Sequence, residues 1–292
     1  MILGHALALA AFLLQTSRGV AEASPPSQPV AIVAAIEDGA WSKARARSPK
    51  PLTLYDWLEA GVVVEVAPQG RVVLIMIDGR RYALDGGAQA QLSSTGLTTQ
   101  HGSIREEPRV PRLTLLAPIA GKAPSEPAAV RLRSPAIAKL NPCQAILTMS
   151  GETVLRFEPV AGASRYAIQV RTGDDQEVFS AIVEKPPLAV PAGVLSGATT
   201  YLWTVQAVGM IPPAKSEARF QTLATAVESA RRSFAGALDP ANSGVLGGID
   251  LHLGLLNEAV EELTAAARRA PSDPAAEAVA QRARLALAIS CP

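Results

Sequence analysis

Residues 52–92 read LTLYDWLEAGVVVEVAPQGRVVLIMIDGRRYALDGGAQAQL. Short apolar runs alternate here with turn residues, a pattern that strands produce and helices do not. Pro68-Gln69-Gly70 makes one turn, and Asp78-Gly79 makes the next, between runs 71–77 and 80–84. Asp-Gly favours a two-residue type I′ hairpin, in which both positions take positive φ. The run 72–77 is apolar on both parities, so the strand is expected to be covered on both faces. No side chain in the stretch is placed to react. Extending outward, strands are expected over 30–36, 40–44, 52–57, 62–66, 71–77, 80–84, 88–92 and 97–104, making one β domain over 30–107.

The residues that mark this domain are Leu54, Trp57 and Leu58 at its entry, Gly61 before a valine strand, Gly70 before the central strand, Asp78-Gly79, and Leu84 followed by Gly86-Gly87. In these features it resembles the FecR domain of bacterial envelope proteins. That resemblance implies a compact β module outside the cytoplasm. Some members of the family are sensors that relay siderophore signals across the inner membrane. With no cytoplasmic segment or spanning helix expected before the module, a sigma-factor regulatory role is not expected here.

Residues 136–224 alternate in a second way. Tyr166, Ile168 and Val170 interleave with Ala167, Gln169 and Arg171, and Tyr201, Trp203, Val205 and Ala207 form another apolar face. Leu195, Thr199 and Tyr201 place a tyrosine at the start of a strand just after a corner, where its hydroxyl can return to upstream backbone. With Phe157 in the place of a core tryptophan, Tyr166 after Gly162-Ala163, and Phe220 on the last strand, the segment resembles a fibronectin type III domain. The resemblance implies a β-sandwich and leaves function open, since such sandwiches bind partners or space other domains.

Between the two β segments, residues 108–135 carry Pro108, Pro111, Pro118, Pro124, Pro127 and Pro135. Proline fixes φ and removes a donor, so an extended, semi-rigid linker is expected. From 225 to 292 the composition turns helical. Val227, Ala230, Phe234 and Leu238 recur at helical spacing, Asp239-Pro240 reads as a cap with a first-turn proline, a second helix ends near Gly254, a third stops by Pro271, and Asp273-Pro274 starts a fourth. Leu246-Gly247, Gly254, Ala259, Leu263, Ala266 and Pro271 give the middle pair a resemblance to one degenerate tetratricopeptide repeat. An ordinary helical hairpin is the competing reading, because a lone repeat lacks the neighbours that stabilise a stack. The fold class is therefore multidomain and mainly β, a FecR-like β domain plus a fibronectin type III-like β-sandwich, with a C-terminal α-helical region.

The chain has 292 residues, 27 basic and 26 acidic, for a formal net charge of +1. That balance lacks the concentrated basic face a nucleic-acid binder uses to displace counterions. Basic clusters such as Arg80-Arg81 and Arg231-Arg232 read as solvated faces. Residues 1–23 read as a signal peptide, with an apolar core from Ala6 to Leu14 and a small-x-small site, Ala21-Glu22-Ala23, that places cleavage after Ala23. Its opening residues lack Lys and Arg, and its apolar run is too short to span the bilayer comfortably. Residues 24–29 form a mobile leader in this reading. Localisation is accordingly expected to be periplasmic or secreted, with no stable membrane span after cleavage. In an oxidising compartment Cys143 and Cys291 either pair, tethering the C-terminal end to the middle domain, or remain free.

Catalytic and metal chemistry finds little footing. Of the three histidines, His5 leaves with the signal, and His101 and His252 fall in different segments without a neighbouring Cys or second His. There is no Gly-x-Ser-x-Gly elbow, and the glycines at 244–248 follow a loop and lack the lysine of a phosphate cradle. The acidic pairs Asp174-Asp175 and Glu261-Glu262 read as solvated charge. The reading is a non-enzymatic envelope adaptor without a cofactor, assembled as independent units along a string, with a structural spacer or assembly component of little ligand affinity as the alternative. Its partner would be an envelope protein or a cell-surface polysaccharide, with Trp41, Tyr55, Arg80 and Arg81 as the candidate binding surface.

Overall fold

The computed structural model describes residues 28–43, 48–117, 137–143, 146–239 and 242–291. The expected signal peptide, most of the leader and residues 118–135 of the expected linker lie outside the described residues.

The first unit holds ten strands: β1 (Pro29–Glu37), β2 (Ala40–Lys43), β3 (Lys50–Pro51), β4 (Trp57–Glu59), β5 (Val63–Val66), β6 (Arg71–Met76), β7 (Arg81–Asp85), β8 (Gln89–Ser93), β9 (Gly96–His101) and β10 (Ile104–Glu107). They form two five-stranded sheets, in the orders β10-β7-β6-β1-β4 and β3-β2-β5-β8-β9. Val33, Val64, Val66, Val72, Leu74, Met76, Leu84 and Leu92 fill the space between them. Strand parity explains the split. On β6, Val72, Leu74 and Met76 point into this core, while Ile75 points to the opposite face and is 2% exposed.

Two local expectations are corrected. The segment 52–56 is no strand, and Trp57 enters one only as the first residue of β4. It turns at Thr53–Asp56, where Thr53 N–H donates to the Asp56 carboxylate at 3.0 Å and Tyr55 takes φ of 64°. The Asp78-Gly79 hairpin is a three-residue loop rather than a type I′ turn. Met76 N–H donates to the Arg80 carbonyl at 2.8 Å, Gly79 N–H returns to the Met76 carbonyl at 2.9 Å, and of the pair only Gly79 has positive φ. Asp78 explains the choice, because its carboxylate accepts from Arg80 N–H at 3.1 Å, a contact that suits a type I turn followed by a left-handed glycine.

The sandwich comprises β11 (Leu147–Thr148), β12 (Val154–Leu155), β13 (Tyr166–Thr172), β14 (Glu177–Val183), β15 (Leu188–Ala189), β16 (Thr200–Ala207) and β17 (Lys215–Thr222). A five-stranded sheet β11-β17-β16-β13-β14 faces the pair β12-β15. Tyr166, Ile168, Val170, Tyr201, Trp203, Val205 and Phe220 meet in its core. The Tyr201 hydroxyl accepts from Ser196 N–H at 2.7 Å, and Trp203 Nε1–H donates to the Pro142 carbonyl at 2.8 Å.

Four helices follow: α1 (Thr225–Ala237), α2 (Ser243–Leu253), α3 (Leu256–Arg269) and α4 (Pro274–Ser290). Asn242 stands at the N-cap of α2, where Asp239 was expected. Gly254 closes α2 in the left-handed region, and the Asp273 carboxylate caps α4 through Ala275 N–H.

The units are not strung apart. Ile32 and Ile75, from the outer face of the first sheet, share one core with Leu113 and Leu116 of the linker and with Phe234, Val245, Leu246 and Ile249 of α1 and α2. The cover that the doubly apolar strand requires comes from the helices and from the first part of the linker, not from within its own unit. Among the described residues, no helix is long and apolar enough to cross a membrane.

Candidate functional site: the junction of sandwich and helices

The segment that enters the sandwich also lies on the helices. Met149 and Leu223 meet Leu255, and Cys143 and Ile146 meet Leu256. Leu147 N–H donates to the Gly254 carbonyl at 3.1 Å. Asn141 and Asn257 exchange two amide hydrogen bonds, at 2.7 and 2.8 Å. Cys143 and Cys291 are joined in a disulfide across a Cα–Cα distance of 5.5 Å, closing a sequence separation of 148.

Within this junction lies a polar cluster. Arg231 of α1 donates through Nε and Nη2 to the two carboxylate oxygens of Asp250 on α2, at 2.7 and 2.6 Å. Asp250 is fully buried and Arg231 is 7% exposed, so the pair is desolvated and its fork geometry is what makes the burial tolerable. Burial pushes the Asp250 carboxyl up to about 6 against the opposing hydrogen bonds and charge of Arg231. Next to it, the Glu228 carboxylate accepts from the Ser150 hydroxyl at 2.9 Å and from Arg232. Arg231 is thus not part of a solvated basic face, as the Arg231-Arg232 pair suggests from sequence, but a buried ion-pair partner. It sits one helical turn from both Val227 and Phe234, on the apolar face of α1, and that spacing was the available signal.

Beyond the cluster opens a cleft of about 170 Å³, lined by Thr148, Glu152, Thr153, Arg156, Asn257, Glu258 and Glu261 among others. Glu258 is its unusual member. Its Oε2 is buried and accepts no hydrogen bond. Burial, with added repulsion from Asp250 and Glu261, holds its carboxyl up at about 7, against the pull of its own backbone N–H and of Arg231. Such a group can exchange a proton near neutral pH. The surrounding hydroxyls are already committed, since Thr148 and Thr153 share a hydrogen bond of 2.9 Å and Thr153 also donates to the Met149 carbonyl. A second hollow of about 260 Å³ is lined by Lys139, Asn141, Arg284, Leu287, Ala288 and Cys291. Both are small beside ligand pockets of roughly 300–1,000 Å³. Among the described residues, no group of three or more His, Cys, Asp or Glu side chains is arranged to hold a metal.

The four residues proposed as a binding surface do not converge. Trp41 is on β2 and 40% exposed. Tyr55 turns inward onto α2: a Cβ built at Gly248 would lie 2.4 Å from the Tyr55 Cβ, and one built at Gly244 would lie 2.0 Å from its hydroxyl. Burial, reinforced by the charge of Asp273, pushes the Tyr55 phenol up to about 12. Arg80 is held by Asp78 through Nε at 2.7 Å and by the Thr95 carbonyl at 2.5 Å. Arg81 faces Glu107, with Nε 2.8 Å from the carboxylate. That Nε is buried and the contact fails hydrogen-bond geometry, so its attraction is Coulombic. Of the four, only Trp41 is presented to solvent without such ties. The glycines at 244–248 make α2 thin enough for Tyr55 to lie against it.

No family model matches the chain, and no curated protein matches it. Among solved structures, a β-1,2-glucanase from Parabacteroides distasonis aligns with 83% of this chain and 48% of its own, at 10% identity and a TM-score of 0.23. The chain thus spans about half the length of that structure, and a likeness this slight carries no argument.

Proposed function

We propose that the chain is a non-enzymatic adaptor of the bacterial envelope, exported by its N-terminal segment, that binds a protein or polysaccharide partner through its β modules. The observation that carries this reading is the core shared by Ile32, Ile75, Leu113, Leu116, Phe234, Val245, Leu246 and Ile249. With the contacts of Met149 and Leu223 on Leu255 and of Ile146 on Leu256, it supports a helical region that clamps the first β unit and the sandwich together. The conspicuous ionic and aromatic groups support the same reading, because they serve contacts within the frame. Arg231 is committed to Asp250, and His252 stacks at an angle against Trp57 with ring centroids 5.8 Å apart. The docking face is then sought on the outer strands, where Trp41 is the exposed aromatic.

The commitment of the helices to the chain's own sheets also favours a second reading, in which the molecule is a structural spacer of an envelope assembly with little ligand affinity of its own. Affinity capture from envelope extracts separates the two. The adaptor reading expects one protein or glycan to be retained by the wild-type chain and lost with Trp41→Ala. Retention of nothing by the wild-type chain counts against the adaptor and leaves the spacer.

A further inference from the structure

The sheet β3-β2-β5-β8-β9 turns one face to the core and the other outward. On β2, β5 and β8, Ala40, Val64, Val66, Ala90 and Leu92 point into the core, so Trp41, Glu65, Gln89 and Gln91 point away from it. Register sets the outward side chains in rows across the strands. Pro51, Trp41, Glu65, Gln89 and His101 stand opposite one another in one row, and Lys43, Val63, Gln91 and Thr98 in the next. Four inter-strand steps make the first row about 19 Å long. Among the described residues, Trp41 is the one large apolar side chain exposed on this face. Glu65, Gln89 and His101 form no ion pair or side-chain hydrogen bond among the described residues, and the Gln91 side-chain carbonyl accepts only a long bond from the Gln100 amide, at 3.4 Å.

The chemistry of the face selects a ligand. In the two rows Lys43 and Glu65 oppose each other in sign, so neither a polyanion nor a polycation finds its complement here. A protein interface is centred on a cluster of apolar and aromatic side chains, and here a single indole stands beside the half-buried Val63. A sugar chain fits both features. The C–H face of a pyranose lies flat against the electron-rich face of an indole, and its vicinal hydroxyls both donate and accept, as the Gln89 and Gln91 amides do. We infer that an uncharged polysaccharide lies along this face, one sugar ring stacked on Trp41 and its neighbours hydrogen-bonded by Glu65, Gln89 and Gln91. The inference rests on the adaptor reading above and names its partner as a glycan.

Titration calorimetry of the full chain with cellohexaose, laminarihexaose and chitohexaose tests this, with polygalacturonate as the charged comparison. At least one of the three uncharged chains is expected to bind at millimolar concentration, and polygalacturonate more weakly. Trp41→Ala is expected to weaken that binding about tenfold or more. Trp41→Phe is expected to weaken it less, because a phenyl ring still stacks, and Gln89→Ala with Gln91→Ala is expected to weaken it about tenfold. Far-ultraviolet circular dichroism verifies that all variants fold. Binding of none of the three uncharged chains overturns the proposal. So does binding that Trp41→Ala leaves intact, or a preference for polygalacturonate. If envelope extracts yield a protein that Trp41→Ala releases while the three glycans stay unbound, the adaptor reading stands and the glycan proposal falls.

Discussion

Tyr55 joins the first β unit to the helices at the cost of its own backbone. A bulky residue at φ of 64° is strained by roughly 1–3 kcal/mol and persists only where its surroundings hold it. What holds it is the flat glycine surface of α2. Gly248→Ala places a methyl against the Tyr55 Cβ, near the backbone, where little can give. We expect a loss of about 1–3 kcal/mol in chemical denaturation, and an unchanged midpoint would mean that the ring does not lie there. At Glu258 the relevant variable is pH. Its folded carboxyl is held up at about 7, above the 4.5 of the unfolded chain. The folded state therefore retains a proton that the unfolded state has released. The associated stability is complete below about pH 4.5 and is lost as pH rises through about 7. Glu258→Gln is expected to raise stability at pH 8 by on the order of 2 kcal/mol and to leave it nearly unchanged at pH 4. Denaturant midpoints at the two pH values check this, and equal gains at both would contradict it.

Among the elements, the Arg231–Asp250 pair couples α1 to α2. Arg231→Met leaves a buried carboxylate without its partner and is expected to cost about 3–5 kcal/mol. Arg231→Met with Asp250→Leu is expected to recover most of that loss, a double-mutant cycle read by thermal or chemical unfolding. Additive losses would show that the two side chains act separately. The elements themselves were largely legible in the sequence. Period-two alternation located β13 and β16, and Gly254 and Asp273-Pro274 located the helix ends, because these signals are local. Segment 52–57 was not legible as a turn, since the spacing of Leu52 with Leu54 and of Tyr55 with Trp57 satisfies a strand pattern while the Asp56 carboxylate draws the chain into a turn. Arg231 was hidden by its neighbour Arg232, which is 53% exposed at the side chain and gives the pair the look of a solvated face.

At the scale of the molecule, the sequence showed a strand that needed cover on both faces but not what would cover it. Part of that cover, Leu113 and Leu116, lies close in sequence, but the rest lies more than a hundred residues away, in helices whose apolar faces are equally satisfied by another chain or by a distant part of the same one. The candidate site was illegible for the same reason, because Glu258 acquires its raised pKa from groups that only the tertiary fold gathers around it. The disulfide adds a covalent closure to this arrangement. By loop entropy, its removal in Cys143→Ser/Cys291→Ser is expected to cost about 4–5 kcal/mol, measurable as a lowered denaturation midpoint in non-reducing buffer. A wild-type midpoint in that variant would show that the closure is energetically idle.

The account stands on the three units forming one body, and hydrogen exchange followed by mass spectrometry under rising denaturant tests this most directly. If the shared cores clamp the units, peptides from β6, α2 and β16 lose protection together, at one denaturant concentration. If α2 opens well before β6 while the sandwich keeps its protection, the helices are a separate unit and the clamp does not exist.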